Sequence, residues 1–141
     1  MAFRPVQYDT GKLVRMAAAT TQTIVKGDLL VDNGSGYLAV SAADAGQPHF
    51  YVAMETVTTT ANGQMVLCLR VDGVIFEADC EAAAALTDVG THCDLASKST
   101  LDTDSATDGV FYVESIVGGV GAAGTSTKVI GWFAPYTPQA N

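Results

Sequence analysis

The stretch from Phe50 to Asp79 constrains the fold most. Phe50-Tyr51-Val52-Ala53-Met54-Glu55-Thr56-Val57-Thr58-Thr59-Thr60 runs to a turn at Ala61-Asn62-Gly63. Gln64 to Val71 follows, then Asp72-Gly73, then Val74-Ile75-Phe76-Glu77-Ala78-Asp79. Asn-Gly and Asp-Gly tolerate the positive φ angles of tight hairpin turns. The runs between them are rich in Val, Thr, Ile and aromatics, which suit a pleated surface. The reading is a three-stranded antiparallel meander. In its central run Met65, Leu67, Leu69 and Val71 share one face, and Val66, Cys68 and Arg70 share the other. Both faces are largely apolar, so this strand is expected to be covered on each side, by sheet, loop or a partner chain.

Other segments repeat the pattern. Thr23 to Val31 and Tyr37 to Val40 flank Asp32-Asn33-Gly34-Ser35-Gly36, a second hairpin signature. Gly109 to Val117 and Thr127 to Ala134 read as two closing strands, and Asp88 to Leu95 as extended chain. Asp79-Cys80-Glu81 followed by four alanines and Leu86 is the one helical stretch, with Asp79 as its cap. Ser41 to Pro48 reads as a small-residue loop, Ala96 to Asp108 as a polar surface loop, and Pro135 to Asn141 as an ordered end. Short strands at roughly 8–12-residue spacing indicate an all-β protein, a small β-barrel or sandwich. Residues 1–22 are expected to form an extended arm with little core of its own, and 23–141 a single β domain with one short helix near 79–86.

Charge narrows the partners. The formal net charge is −8, and residues 1–26 hold Arg4, Lys12, Arg15 and Lys26 against Asp9 alone. The acidic remainder argues against nucleic acid, which requires clustered Lys and Arg. The basic arm suits an acidic protein surface. No run approaches a transmembrane helix, and the leading residues lack the apolar centre of a signal peptide, so synthesis in the cytoplasm is expected. Cys68, Cys80 and Cys93 make no Cys-x-x-Cys unit and read as buried free thiols.

The chemistry-bearing motifs have ordinary explanations. Gly119-Val120-Gly121-Ala122-Ala123-Gly124 matches a dinucleotide fingerprint, but Thr125-Ser126-Thr127 leads into β-type sequence where that site needs a helix, so it reads as a hairpin loop. His92-Cys93-Asp94 are ligand types in a row, yet adjacent strand residues point to opposite faces and no second pair completes a metal site. His49 and His92 are the only histidines, and Ser35 sits in a turn outside Gly-x-Ser-x-Gly context. Glu55, Glu77, Asp79 and Glu114 are candidate acid–base groups, with no pair selected by sequence. These readings imply no catalysis, no cofactor and no metal.

The succession of features carries more than any motif. It starts with the arm and continues with Val25-Lys-Gly-Asp-Leu-Leu-Val-Asp-Asn-Gly-Ser-Gly-Tyr-Leu-Ala-Val40 and a Tyr51-Val-Ala segment. Val71-Asp-Gly-Val-Ile-Phe76, Val89-Gly-Thr-His-Cys-Asp-Leu95 and Lys128-Val-Ile-Gly-Trp-Phe133 complete it. Across most of residues 20–134 this resembles the capsid decoration (cement) proteins of tailed bacteriophages. The resemblance implies a small β-barrel or β-tulip on the outer surface of the virion, trimeric, stabilising the expanded head by clamping neighbouring major capsid protein subunits. The basic and aromatic arm is the candidate capsid or neighbour contact, at Phe3, Arg4, Tyr8, Lys12 and Arg15. The central strand, at Met65, Leu67, Leu69 and Arg70, is the candidate contact between copies, though a buried core strand explains its two apolar faces equally well. Two other classes stay open. One is another virion part, either a tail or head-completion component or a surface carbohydrate-binding module with Tyr37, Tyr51 and Trp132 as candidate aromatics. The other, ranked last, is a small hydrolase, which needs a cleft and perturbed acids.

Overall fold

The computed structural model describes residues 1–42 and 49–134, so the loop expected at 41–48 and the end expected at 135–141 lie almost wholly outside the described residues. The chain is all-β. Its strands are β1 (Phe3–Gln7), β2 (Leu13–Ala18), β3 (Thr23–Ile24), β4 (Leu29–Asp32), β5 (Leu38–Val40), β6 (Tyr51–Ala53) and β7 (Val57–Thr58). Then come β8 (Gln64–Arg70), β9 (Ile75–Asp79), β10 (His92–Leu95), β11 (Leu101–Asp102), β12 (Phe111–Ile116) and β13 (Lys128–Phe133).

Five strands close a small barrel in the order β2-β5-β4-β6-β8, and six form a sheet in the order β1-β9-β13-β12-β10-β11, while β3 pairs with β7. The hairpins expected around 32–36 and 118–126 form as β4–β5 and β12–β13. The meander forms only in part. β6 pairs with β8, but the run from 50 to 60 divides at Glu55, whose Oε1 accepts the Leu67 N–H at 2.9 Å. Across Asp72-Gly73 the chain leaves the barrel, and β9 pairs with β1 and β13 instead of β8. The Val74 N–H closes a turn onto Val71 O at 3.1 Å with Gly73 at a φ of 73°, so the dipeptide marks a turn without deciding which strands that turn joins.

The expected arm is also part of the body. Phe3 is fully buried, β1 is an edge strand of the sheet, and β2 pairs with β8 along its whole length. The helix expected near 79–86 is absent; a 3-10 turn covers only Leu86–Asp88. Tertiary pairing overrides the alanine propensity, because the Cys80, Glu81 and Ala84 N–H groups donate to Thr127 O, Leu101 O and Ser126 O. Likewise 96–108 is no free surface loop: Leu101 is fully buried in β11.

Two cores result. Inside the barrel lie Ala18, Ile24, Leu30, Leu38, Ala53, Val66 and Cys68. Between barrel and sheet lies the larger core, centred on Phe133, whose ring stands 5.1–5.5 Å from those of Phe3, Phe50, Phe76 and Phe111. β8 serves both, with Val66 and Cys68 turned into the barrel and Leu69 into the larger core. The expectation of a strand covered on two sides holds for that part of β8.

Candidate functional site

Strand alternation decides which side chains reach the surface. On the sheet the inner row is Phe3, Phe76, Ala78, Val129, Phe133, Phe111 and Val113, all fully buried. The outer row is Arg4, Glu77, Asp79, Lys128, Ile130, Trp132, Tyr112, Glu114 and His92, all exposed or half-buried.

The nine residues expected to make contacts do not form one surface. Phe3 is wholly interior, so a role in touching a neighbour is ruled out. Leu69 is interior for the same reason. Arg4 lies on the outer sheet face and pairs with Glu77. Tyr8 is exposed beyond the end of β1. Lys12 reaches Asp72 at 3.2 Å, joining the two points where the chain passes between sheet and barrel. Arg15 and Leu67 are cross-strand partners on the outside of the barrel, beside Ala17 and Met65, and Met65 is 50% exposed. Arg70 is exposed opposite Tyr51.

The candidate acids have local work. Glu55 binds the Leu67 N–H, Glu77 pairs with Arg4 and Asp79 with Lys128, while Glu114 stands exposed. Asp94 is fully buried and accepts four hydrogen bonds: Ser105 Oγ at 2.6 Å, Gly109 N at 2.7 Å, Asp108 N at 2.8 Å and Thr107 N at 2.9 Å. Burial pushes its carboxyl up, but these donors outweigh burial and hold it below the ordinary carboxylate value. Asp94 is therefore a staple for the loop after β11, and among the described residues no His, Cys, Asp or Glu cluster has a geometry that would hold a metal. Cys68, Cys80 and Cys93 are all buried free thiols, and desolvation pushes each up to about 12. The glycine-rich segment 119–124 forms the β12–β13 connection, with a 3-10 turn at Val120–Ala122.

One grouping was not foreseen. Trp132, Tyr112 and His92 lie side by side across three strands of the outer face. Tyr112 stacks on Trp132 at 4.8 Å, and His92 meets the Tyr112 ring edge at 5.2 Å. Trp132, one of the three candidate aromatics, is half-buried on this face. Tyr37 and Tyr51 belong to the barrel, on and beside strands other than these three. Only a predicted pairing of 88–95 with the last hairpin could have revealed the row from sequence.

No family model and no curated protein matches this chain.

Proposed function

We propose that this protein is a non-catalytic structural component of a phage-type virion, which decorates the expanded capsid and clamps neighbouring major capsid subunits, acting as a trimer. One observation carries the reading beside the resemblance. Large apolar side chains stay exposed at separate places: Val6 and Tyr8 beyond the middle of β1, Met65 on the barrel, Leu86 and Val120 on loops at the other end of the sheet. Those last two loops are fixed to one another, since Gly124 N–H donates to Ala84 O and Ala84 N–H to Ser126 O, both at 2.8 Å. A clamp touches several neighbours at once, and many weak contacts then act together.

The test is densitometry of gradient-purified particles. The reading expects this chain in near-stoichiometric ratio to the major capsid protein, with heat resistance lost when it is stripped. A few copies per particle would favour a tail or head-completion part, and absence from particles would overturn the reading. Contact residues are best probed by Arg15→Glu and Met65→Asp, both on the barrel exterior, since deleting residues 1–16 would remove β1 and most of β2. Each change is expected to lower particle occupancy without altering the circular dichroism spectrum.

The aromatic row favours a second reading, a surface glycan site, because an indole beside polar side chains suits a sugar face. Quenching or shift of Trp132 fluorescence on a glycan panel, lost in Tyr112→Ala, would support it.

A further inference from the structure

Two Asn-Gly steps occur in the chain, and their surroundings differ. At Asn62-Gly63, between β7 and β8, Asn62 Oδ1 accepts the Thr20 N–H at 2.8 Å and the Gly63 N–H donates to Ala18 O at 3.0 Å. Both groups are committed to β2 and the residues just after it. At Asn33-Gly34, the tip of the β4–β5 hairpin, residues 32–36 are all exposed, and nothing stands within 4 Å of where a Cβ would lie on Gly34 or Gly36. There the Gly34 N–H donates to Asp32 Oδ1 at 2.7 Å. Asn33 Oδ1 accepts the Ser35 N–H at 2.9 Å and, at a longer 3.4 Å, the Tyr37 N–H.

These contacts match the demands of one reaction. Attack of a backbone nitrogen on the preceding amide carbon must remove the N–H proton and place negative charge on the side-chain oxygen. Asp32 Oδ1 accepts the hydrogen bond from that N–H, and two backbone N–H groups meet that oxygen, as a general base and an oxyanion site would. We propose that Asn33-Gly34 is a self-modification site assisted by Asp32. The Gly34 N–Cγ bond forms as Asp32 accepts the N–H proton. The proton passes to Nδ2, the Cγ–Nδ2 bond breaks, and ammonia leaves a five-membered succinimide. Water then opens the ring to aspartate or isoaspartate, with no change of oxidation state. The product places a second carboxylate beside Asp32. Its isoaspartate form adds a backbone carbon where the Asn33 N–H closes the hairpin onto Tyr37 O at 2.9 Å.

Asn62 is the internal comparison. The folded chain is aged at mildly alkaline pH and mapped by peptide mass spectrometry with isoaspartyl methyltransferase labelling. Conversion at Asn33 is expected to outpace Asn62 by about tenfold or more, and Asp32→Ala to slow Asn33 by about tenfold while leaving Asn62 unchanged. The wild type aged in urea gives a measure independent of any variant, with the two sites converging and Asn33 reacting more slowly than when folded. Equal or faster conversion at Asn62, no effect of Asp32→Ala, or slower reaction of Asn33 in the folded chain would each overturn the proposal.

Discussion

Asp94 shows how much a single side chain organises. A carboxylate with no exposed surface and four donors is stable only as an intact set, since each unmet N–H or O–H costs about 1–3 kcal/mol. Asp94→Asn replaces one acceptor oxygen by a donor facing donors, and is expected to destabilise the fold by about 3 kcal/mol. Because the folded carboxyl sits below its ordinary value of 3.8, its stabilisation is fully present above that value and is lost as pH falls through the lower, folded one. Acid unfolding curves of Asp94→Asn should lack that part of the wild-type slope; an unchanged slope would show that Asp94 contributes none of it. The sequence reveals Asp94 as a ligand type beside His92. It does not reveal the staple, because the donors lie 11–15 residues further on and are mostly backbone N–H groups with no residue signature.

Among elements, β1 departs furthest from expectation. Its residues look like a polar arm because alternation sends only Phe3 and, in part, Pro5 inward, too few apolar positions to announce a strand. Phe3 nonetheless meets Phe111 and Phe133 in the larger core. Phe3→Ala should cost about 3–5 kcal/mol, read as a lowered urea midpoint at constant m; a loss below about 1 kcal/mol would show that β1 is dispensable. The strand also guards the sheet edge. Phe3 turns its N–H outward to Gly27 O, and Pro5, two residues on, has none to offer at the matching position. Hairpins such as β4–β5 and β12–β13 were legible because glycine turns and alternation are local signals. The pairings β1–β9, β9–β13 and β2–β8 join distant segments by hydrogen bonds common to every residue, and the helix at 79–86 failed for that reason.

At the scale of the whole molecule, all-β character follows from composition and turn spacing, while the division into barrel and sheet does not. Strand β8 of the barrel also packs Leu69 into the core beneath the sheet, so the two parts are expected to unfold together. Near-ultraviolet dichroism of Trp132, in the sheet, should coincide with the far-ultraviolet transition; separate midpoints would show two independent units. The barrel strands all lie between the two crossovers that Lys12 and Asp72 join. β1 and β13 flank β9 and run parallel to each other, both antiparallel to it. Tension applied between Phe3 and Phe133 would therefore pull those three strands lengthwise against each other, in shear, so that their cross-strand hydrogen bonds resist as a group. The barrel, looped out of that path, would carry almost none of the strain.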